Sequence, residues 1–258
     1  MYKMIAMDMD DTLLNDEKVI TSGNRNALHR LINAGIVVSL CSGRGAVSMK
    51  PYIDSLDLVH PQIGCTGNIV IETDGSFHVE KYYGESYYQE LIQLLRPLKC
   101  EFTVSTEEGI YYEYAPSWLN HLKMYEGVIP VTEMDLTQVK KAYKISIAYL
   151  EAQTLQAIRR LPIDQEDVFI SAKYIDIMPK GANKFTGIQS VAARYGIADE
   201  QIVTMGDHHN DLAMLRQAGL GCAMKNAQPE AMTAAKITLP VTNNEDAVDY
   251  VARTYFGV

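Results

Sequence analysis

Residues 3–14 read KMIAMDMDDTLL, an unbroken apolar run that ends in three carboxylates, Asp8, Asp10 and Asp11. A short segment that is apolar at every position suits a strand buried on both faces, as in parallel sheets covered by helices. Ligands of open α/β sheets gather at the carboxyl ends of their strands, which is where these acids fall. Side chains alternate along a strand, so Asp8 and Asp10 are expected on one side where the strand frays. Two carboxylates that close call for a cation or a shared proton, and a hard divalent ion such as Mg2+ suits oxygen ligands beside a phosphate. For D-x-D taken alone, a polar loop capping the following TLLNDEK is the stronger reading, because acidic loops are common.

The neighbouring sequence repeats the strand and helix grammar. TSGNRNALHRLINAG reads as a capped helix ending at Gly35, IVVSLCS as a second continuous strand, and GRGAVSMKPYIDSLDL as a helix interrupted near Pro51. Late in the chain come a helix over 182–195, the strand IVTM, a helix over 209–218, a strand near GLGCAM and helices over 228–235 and 244–255. This alternation predicts an α/β fold, a Rossmann-like doubly wound parallel-sheet core.

The texture changes in between. FTVSTEEGIYYEY reads as a hairpin across Glu108 and Gly109, and KAYKISIAYL alternates as a one-sided sheet does. The helices YYQELIQLLRPL and EAQTLQAIRRL and the strands DVFISA and YIDIMP complete an α+β module. The expected organisation is a core of residues 1–81 and 182–258 with an inserted α+β cap over 82–181.

QIVTMGDHHNDLAML, residues 201–215, repeats the opening arrangement. Gly206 permits a tight turn, and four-residue spacing places Asp207 and Asp211 on one side of a first helical turn. Two acidic loops at the ends of parallel strands can share one metal. N-terminal capping by Asp207 explains one acid, not Asp207, Asn210 and Asp211 together. His208 and His209 lack further ligands at zinc-like spacing and read as loop residues.

SLCSGRG, residues 39–45, puts Ser42 and Gly43 at an expected helix start, where backbone N–H groups and a hydroxyl bind an anion, with Arg44 adding charge. A plain serine N-cap reads equally well there. GRGAVS also imitates a dinucleotide fingerprint, but Ser48 replaces its third glycine and no acid lies about 20 residues on. In MPKGANKFTGI, Lys184 stands at the entry to a core helix, placed to neutralise a phosphate oxygen and the aspartates.

A net charge of -9 and the lack of a Lys/Arg block exclude nucleic acid and anionic membrane as main partners. No stretch reaches the roughly 20 apolar residues of a membrane span, so the chain reads as soluble and cytoplasmic. Cys41, Cys65, Cys100 and Cys222 form no C-x-x-C pair and read as buried reduced thiols. With no coiled-coil seam to read, oligomeric state is left open.

Together, DMDDT at 8–12, Ser42 in CSGR, Lys184 in NKFTG and GDHHND at 206–211 resemble the four motifs of the haloacid dehalogenase-like hydrolases, and the insertion resembles the large α/β cap of the Cof-type phosphatases, subclass IIB. The resemblance implies Mg2+-dependent hydrolysis of phosphate monoesters of a small metabolite, such as a sugar phosphate. By that similarity Asp8 is the nucleophile that forms an aspartyl-phosphate, and Asp10 the acid and base. Mg2+ falls to the carboxylates of Asp8 and Asp207 and the Asp10 backbone carbonyl, with Asp211 supporting it. Ser42, Gly43, Lys184 and Asn210 grip the phosphoryl group, with Thr12 and Arg44 as secondary candidates. The chain departs from the pattern at Thr66, Phe185 and Ala247, where relatives commonly carry Asn, Gly and Gly. A phosphomutase or phosphotransferase on the same core, and a non-catalytic Mg2+ and phosphate-binding regulatory module, are the alternatives.

Overall fold

A computed structural model describes residues 1–126, 129–148, 152–164, 167–170 and 174–258. The chain divides into two compact units, 1–77 with 183–258 and 78–182.

In the first unit, β1 (Met4–Met7), α1 (Ser22–Asn33), β2 (Val37–Leu40) and α2 (Ala46–Ser55) follow in order, then β3 (Gln62–Gly64), β4 (Ile69–Ile71) and β5 (Phe77–Val79), which carries the chain across the division. Thr21 caps α1 by accepting from the Asn24 N–H, and Gly35 closes it with φ of 77°. The helix α2 runs through Pro51, contrary to the expected interruption. One missing N–H bond does not break it, because the turns on either side keep theirs.

The second unit holds α3 (Glu85–Leu95), β6 (Phe102–Ser105), β7 (Ile110–Tyr112), α4 (Leu119–Glu126), β8 (Val131–Glu133), β9 (Lys144–Ala148), α5 (Ala152–Arg159), β10 (Val168–Ile170) and β11 (Tyr174–Ile177). The chain then returns to the first with α6 (Lys184–Arg194), β12 (Ile202–Gly206), α7 (Leu212–Gln217), β13 (Leu220–Ala223), α8 (Pro229–Ala234), β14 (Ile237–Thr238) and α9 (Ala247–Val251). The expected sequence elements at 149–151 and 171–172 lie outside the described residues.

The first unit's main sheet has the order β14-β13-β12-β1-β2 and is parallel throughout. Its strands are apolar at nearly every position because both faces are covered. Met4 and Ala6 pack with Phe185, Ile188 and Met214 of α6 and α7, while Ile5 and Met7 point the other way and are also fully buried. Phe185 therefore has a packing reason: burying its ring contributes about 2 kcal/mol to this core. Two late helices are shorter than expected. The stretch 209–211 is a tight single turn before α7, and 252–256 is a wider turn after α9.

The second unit has a six-stranded sheet, β10-β11-β9-β6-β7-β8, antiparallel except between β7 and β8. β6 and β7 form the expected hairpin, closed by the Thr106 N–H donating to the Gly109 carbonyl. Val104, Ile145, Ile147, Ile175 and Ile177 turn one face toward Leu91, Ile92 and Leu95 of α3 and Ile158 of α5. The tyrosines divide: Tyr83, Tyr88 and Tyr112 are buried, and Tyr88 donates its hydroxyl to the Leu136 carbonyl, whereas Tyr114 is exposed. Cys41, Cys65 and Cys222 are buried, and Cys100 is half-buried. No described helix is long and apolar enough to cross a membrane.

Candidate active site

Three adjacent parallel strands deliver the candidate residues to one edge. β12, β1 and β2 lie side by side, so the loops opening at Asp207, Asp8 and Cys41 leave the sheet together. β1 ends at Met7, and the next residues form a wide turn closed by the Leu14 N–H donating to the Met9 carbonyl. Strand geometry therefore ends before Asp10, whose carboxylate lies outside the cluster that Asp8 joins. The Asp8 carboxylate faces Asp207 and Asp211, with one oxygen from each of the three within 4.8 Å of the others.

Lys184 is the first residue of α6 and is fully buried. Asn183 caps that helix, accepting from the Phe185 and Thr186 N–H groups, while the Thr186 hydroxyl accepts from the Asn183 N–H. This capping box aims the lysine Nζ at Asp8 Oδ1 and Asp211 Oδ1, each at 2.6 Å. The sequence separation between Lys184 and Asp8 is 176 residues.

Asp211 is saturated, because its second oxygen accepts from the N–H groups of Asp207 and His208 at 2.9 and 3.0 Å. It closes the turn from its far end, so Asp207 is not the N-cap of α7. Gly206 is required by this approach, since an added Cβ would lie 2.6 Å from Asp211 Cγ. Asp207 Oδ1 accepts from the Thr12 hydroxyl at 3.0 Å. Asp8 Oδ2 and Asp207 Oδ2 accept no hydrogen bond among the described residues. The Asn210 side-chain oxygen is likewise buried without a partner among them.

Charge in this space is under stress. Burial, with Asp211 and Asp10 adding repulsion against the Lys184 attraction, pushes the Asp8 carboxyl up to about 7. Burial together with Asp211 and Asp8 pushes Asp207 up to about 9. Lys184 is raised, because the two carboxylates outweigh its burial. Two free, hard oxygen donors on acids that resist ionising fit a divalent cation: Asp8 and Asp207 would ligate it directly, with Asp211 held by Lys184 and the amides.

Asp10 and Arg44 sit elsewhere in the arrangement. The guanidinium grips the Asp10 carboxylate through Nε and Nη2, both at 2.8 Å, and stacks over the Tyr52 ring. Lys18 adds a contact to Asp10 at 3.3 Å and to Asp11 at 3.0 Å. Burial alone would raise Asp10, but the Arg44 bonds and charge, helped by Lys18, hold it below the ordinary carboxylate range. Lys18 escaped the sequence reading, for no spacing rule marks a loop lysine that returns to its own strand end. Asp11 shapes the loop with φ of 57°, and its carbonyl accepts from Asn226.

Ser42 is buried, donates its N–H to the Ile63 carbonyl, and accepts from the Arg44 N–H on its hydroxyl. Contrary to the sequence expectation, it does not start the helix. Gly45 is the N-cap of α2, because Ser42, Gly43 and Arg44 first make a turn of their own. Gly43 is half-buried in that turn, and His209 contacts Glu230 at 3.4 Å and is not part of the group formed by Asp8, Asp207 and Asp211.

The family profile of the haloacid dehalogenase-like hydrolases matches residues 5–251. The chain is 28% identical over 246 residues to 5-amino-6-(5-phospho-D-ribitylamino)uracil phosphatase YcsE of Bacillus subtilis (strain 168), covering 95% of this chain and 92% of that one. It is 26% identical over 243 residues to the HMP-PP phosphatase of Yersinia enterocolitica, covering 89% and 86%. Among solved structures, a haloacid dehalogenase-like hydrolase from Bacteroides thetaiotaomicron superposes with a TM-score of 0.80 at 26% identity, covering 98% of this chain and 99% of that one.

Proposed function

Because the chain belongs to the haloacid dehalogenase-like hydrolases, as a phosphoric monoester hydrolase among phosphatase relatives, we propose that it is a Mg2+-dependent phosphatase of small phosphorylated metabolites that works through an aspartyl-phosphate. The observation that carries this reading is the buried cluster of Asp8, Asp207, Asp211 and Lys184 at the carboxyl ends of parallel strands.

In this reading an Asp8 carboxylate oxygen attacks phosphorus, the ester P–O bond breaks, and the leaving oxygen takes a proton from Asp10. A water then attacks the acyl phosphate and gives its proton to Asp10, which restores both carboxyl groups and releases inorganic phosphate. Lys184 favours the ionised form of Asp8 and orients it by its 2.6 Å bond, and offers charge to the phosphoryl oxygens. Ser42, the Gly43 amide and Asn210 would complete the grip on those oxygens. A bound divalent ion would screen Asp8 from Asp207 and act as a Lewis acid toward the phosphoryl group.

Asp10 must leave its Arg44 pair to act. An incoming phosphate offers the guanidinium the same bidentate geometry, so substrate binding draws Arg44 away and lets Asp10, otherwise held ionised, take up from solvent the proton it then donates. The inserted unit, 78–182, would choose the leaving group. YcsE is named for a phosphorylated ribityl substrate and the Yersinia enzyme for HMP-PP, so small polar phosphate esters are the class to try first.

A panel of such esters, assayed with and without Mg2+ beside Asp8→Asn, tests this. The expected result is phosphate release that requires both the ion and Asp8. Activity that survives Asp8→Asn or EDTA defeats the mechanism, and isomerised ester in place of free phosphate assigns a mutase.

A further inference from the structure

Cys65, Thr66 and Gly67 take successive positive φ angles of 46°, 57° and 95°. For glycine this is unstrained, but a β-branched residue in the left-handed region is a genuine outlier. Such strain persists only where the surroundings over-determine it. Thr66 is 1% exposed, and its hydroxyl makes no hydrogen bond among the described residues, so its own side chain does not offset the strain. Closing the hairpin of β3 and β4 does not call for it either. The connection spans the four residues 65–68, and loops of that length are most often built on an ordinary type I turn.

The turn is held from two sides. On one, the Cys65 N–H donates to the Arg44 carbonyl at 2.8 Å, the Thr66 N–H to the Ser42 carbonyl at 2.9 Å, and the Ser42 N–H to the Ile63 carbonyl at 2.9 Å. On the other, Gly67 presses on the start of α6, where an added Cβ would lie 1.9 Å from the Asn183 carbonyl oxygen and 2.8 Å from the Lys184 nitrogen. Gly187 makes room from the helix side, since a Cβ there would lie 2.8 Å from the Gly67 carbonyl oxygen. One strained turn thus touches both the loop of Ser42 and Arg44 and the backbone that launches Lys184.

Resting on the phosphatase reading, we infer that the turn of Cys65, Thr66 and Gly67 is the positioning element that sets the spacing between the Ser42–Arg44 loop and Lys184, the two grips on the phosphoryl group. Thr66 acts through those groups and is not itself a reacting residue. A glycine at 66 relaxes the strain yet opens other conformations to the turn, so the spacing is held less tightly. A misplacement of about 1 Å at a reacting centre costs on the order of 100-fold in rate.

The test compares Thr66→Gly and Thr66→Asn with the parent by thermal midpoint, kcat, KM and calorimetric binding of inorganic phosphate in Mg2+. Thr66→Gly is expected to melt no lower than the parent, to bind phosphate roughly tenfold more weakly, and to lose at least about tenfold in kcat, with kcat falling more than KM rises. Asparagine accepts the left-handed conformation, so Thr66→Asn is expected to recover kcat to within about threefold. Parent-like phosphate affinity and kcat in Thr66→Gly overturn the inference, and so does an Asn variant as impaired as the Gly variant. A Thr66→Gly protein melting well below the parent overturns it too, because the turn then stores no strain. A parent that binds phosphate but hydrolyses no ester removes the phosphatase reading alone and leaves the calorimetric comparison standing.

Discussion

Replacing Lys184 by Met separates electrostatics from packing in the site, because methionine keeps most of the length and apolar volume while deleting the charge. In the parent, Nζ makes 2.6 Å bonds to Asp8 and Asp211 with no solvent to replace them. Breaking a buried ion pair by removing one partner costs about 3–5 kcal/mol, because the remaining charges are left unpaired. For a chain of this length that corresponds to a fall in melting temperature of roughly 10 °C or more.

The loss has a pH signature. Asp8 and Asp207, raised to about 7 and about 9, contribute stability that is full below the ordinary carboxylate range and is lost as pH rises through those values. At pH 5 both hold protons, so deleting the lysine exposes less uncompensated charge. At pH 8.5 Asp8 is ionised and Asp207 has begun to ionise, so without the lysine their repulsion is unrelieved. Urea unfolding of parent and Lys184→Met, metal-free and at both pH values, should show a stability difference that grows toward high pH, and kcat should fall at least about 100-fold. A difference under about 0.5 kcal/mol at pH 8.5, the range of ordinary surface substitutions, would refute the claim that Lys184 neutralises the acid cluster.

Three further outcomes can be checked together. Asp8→Asn should abolish phosphate release while circular dichroism stays that of the parent; residual turnover on the same ester would place the nucleophile elsewhere. Mg2+ should raise the melting temperature more at pH 8.5 than at pH 5, since Asp8 and Asp207 must lose their protons to receive it, and an equal gain at both would separate the ion from those acids. Arg44→Met removes the bonds that hold Asp10 below the carboxylate range in the free enzyme, so the limb of the kcat/KM–pH profile belonging to Asp10 should move to higher pH, and an unmoved limb would dissociate Arg44 from Asp10.

The parallel core was legible because burial on both faces of a sheet leaves continuous apolar strands, as in β1 and β12. The middle α+β unit was legible because its one-sided sheet alternates. Boundaries and turns were less so. Pro51 reads as a breaker in sequence, yet α2 passes through it, and Ser42 reads as a helix cap, yet its hydroxyl serves the turn that precedes Gly45. Local spacing carries no information about which alternative the surrounding packing will favour.

By itself the sequence determined the kinds of side chain at the strand ends: acids after β1 and β12, Ser42 and Arg44 after β2, and Lys184 at the head of α6. Only the tertiary structure decided how those charges pair. It brings Lys184 across 176 residues onto Asp8, saturates Asp211 with amides, and assigns Asp10 to Arg44 and Lys18 rather than to the carboxylate cluster. Pairing of this kind depends on distances of a few ångströms between loops remote in sequence, and those distances are set by the order of the strands and the packing of the helices on them.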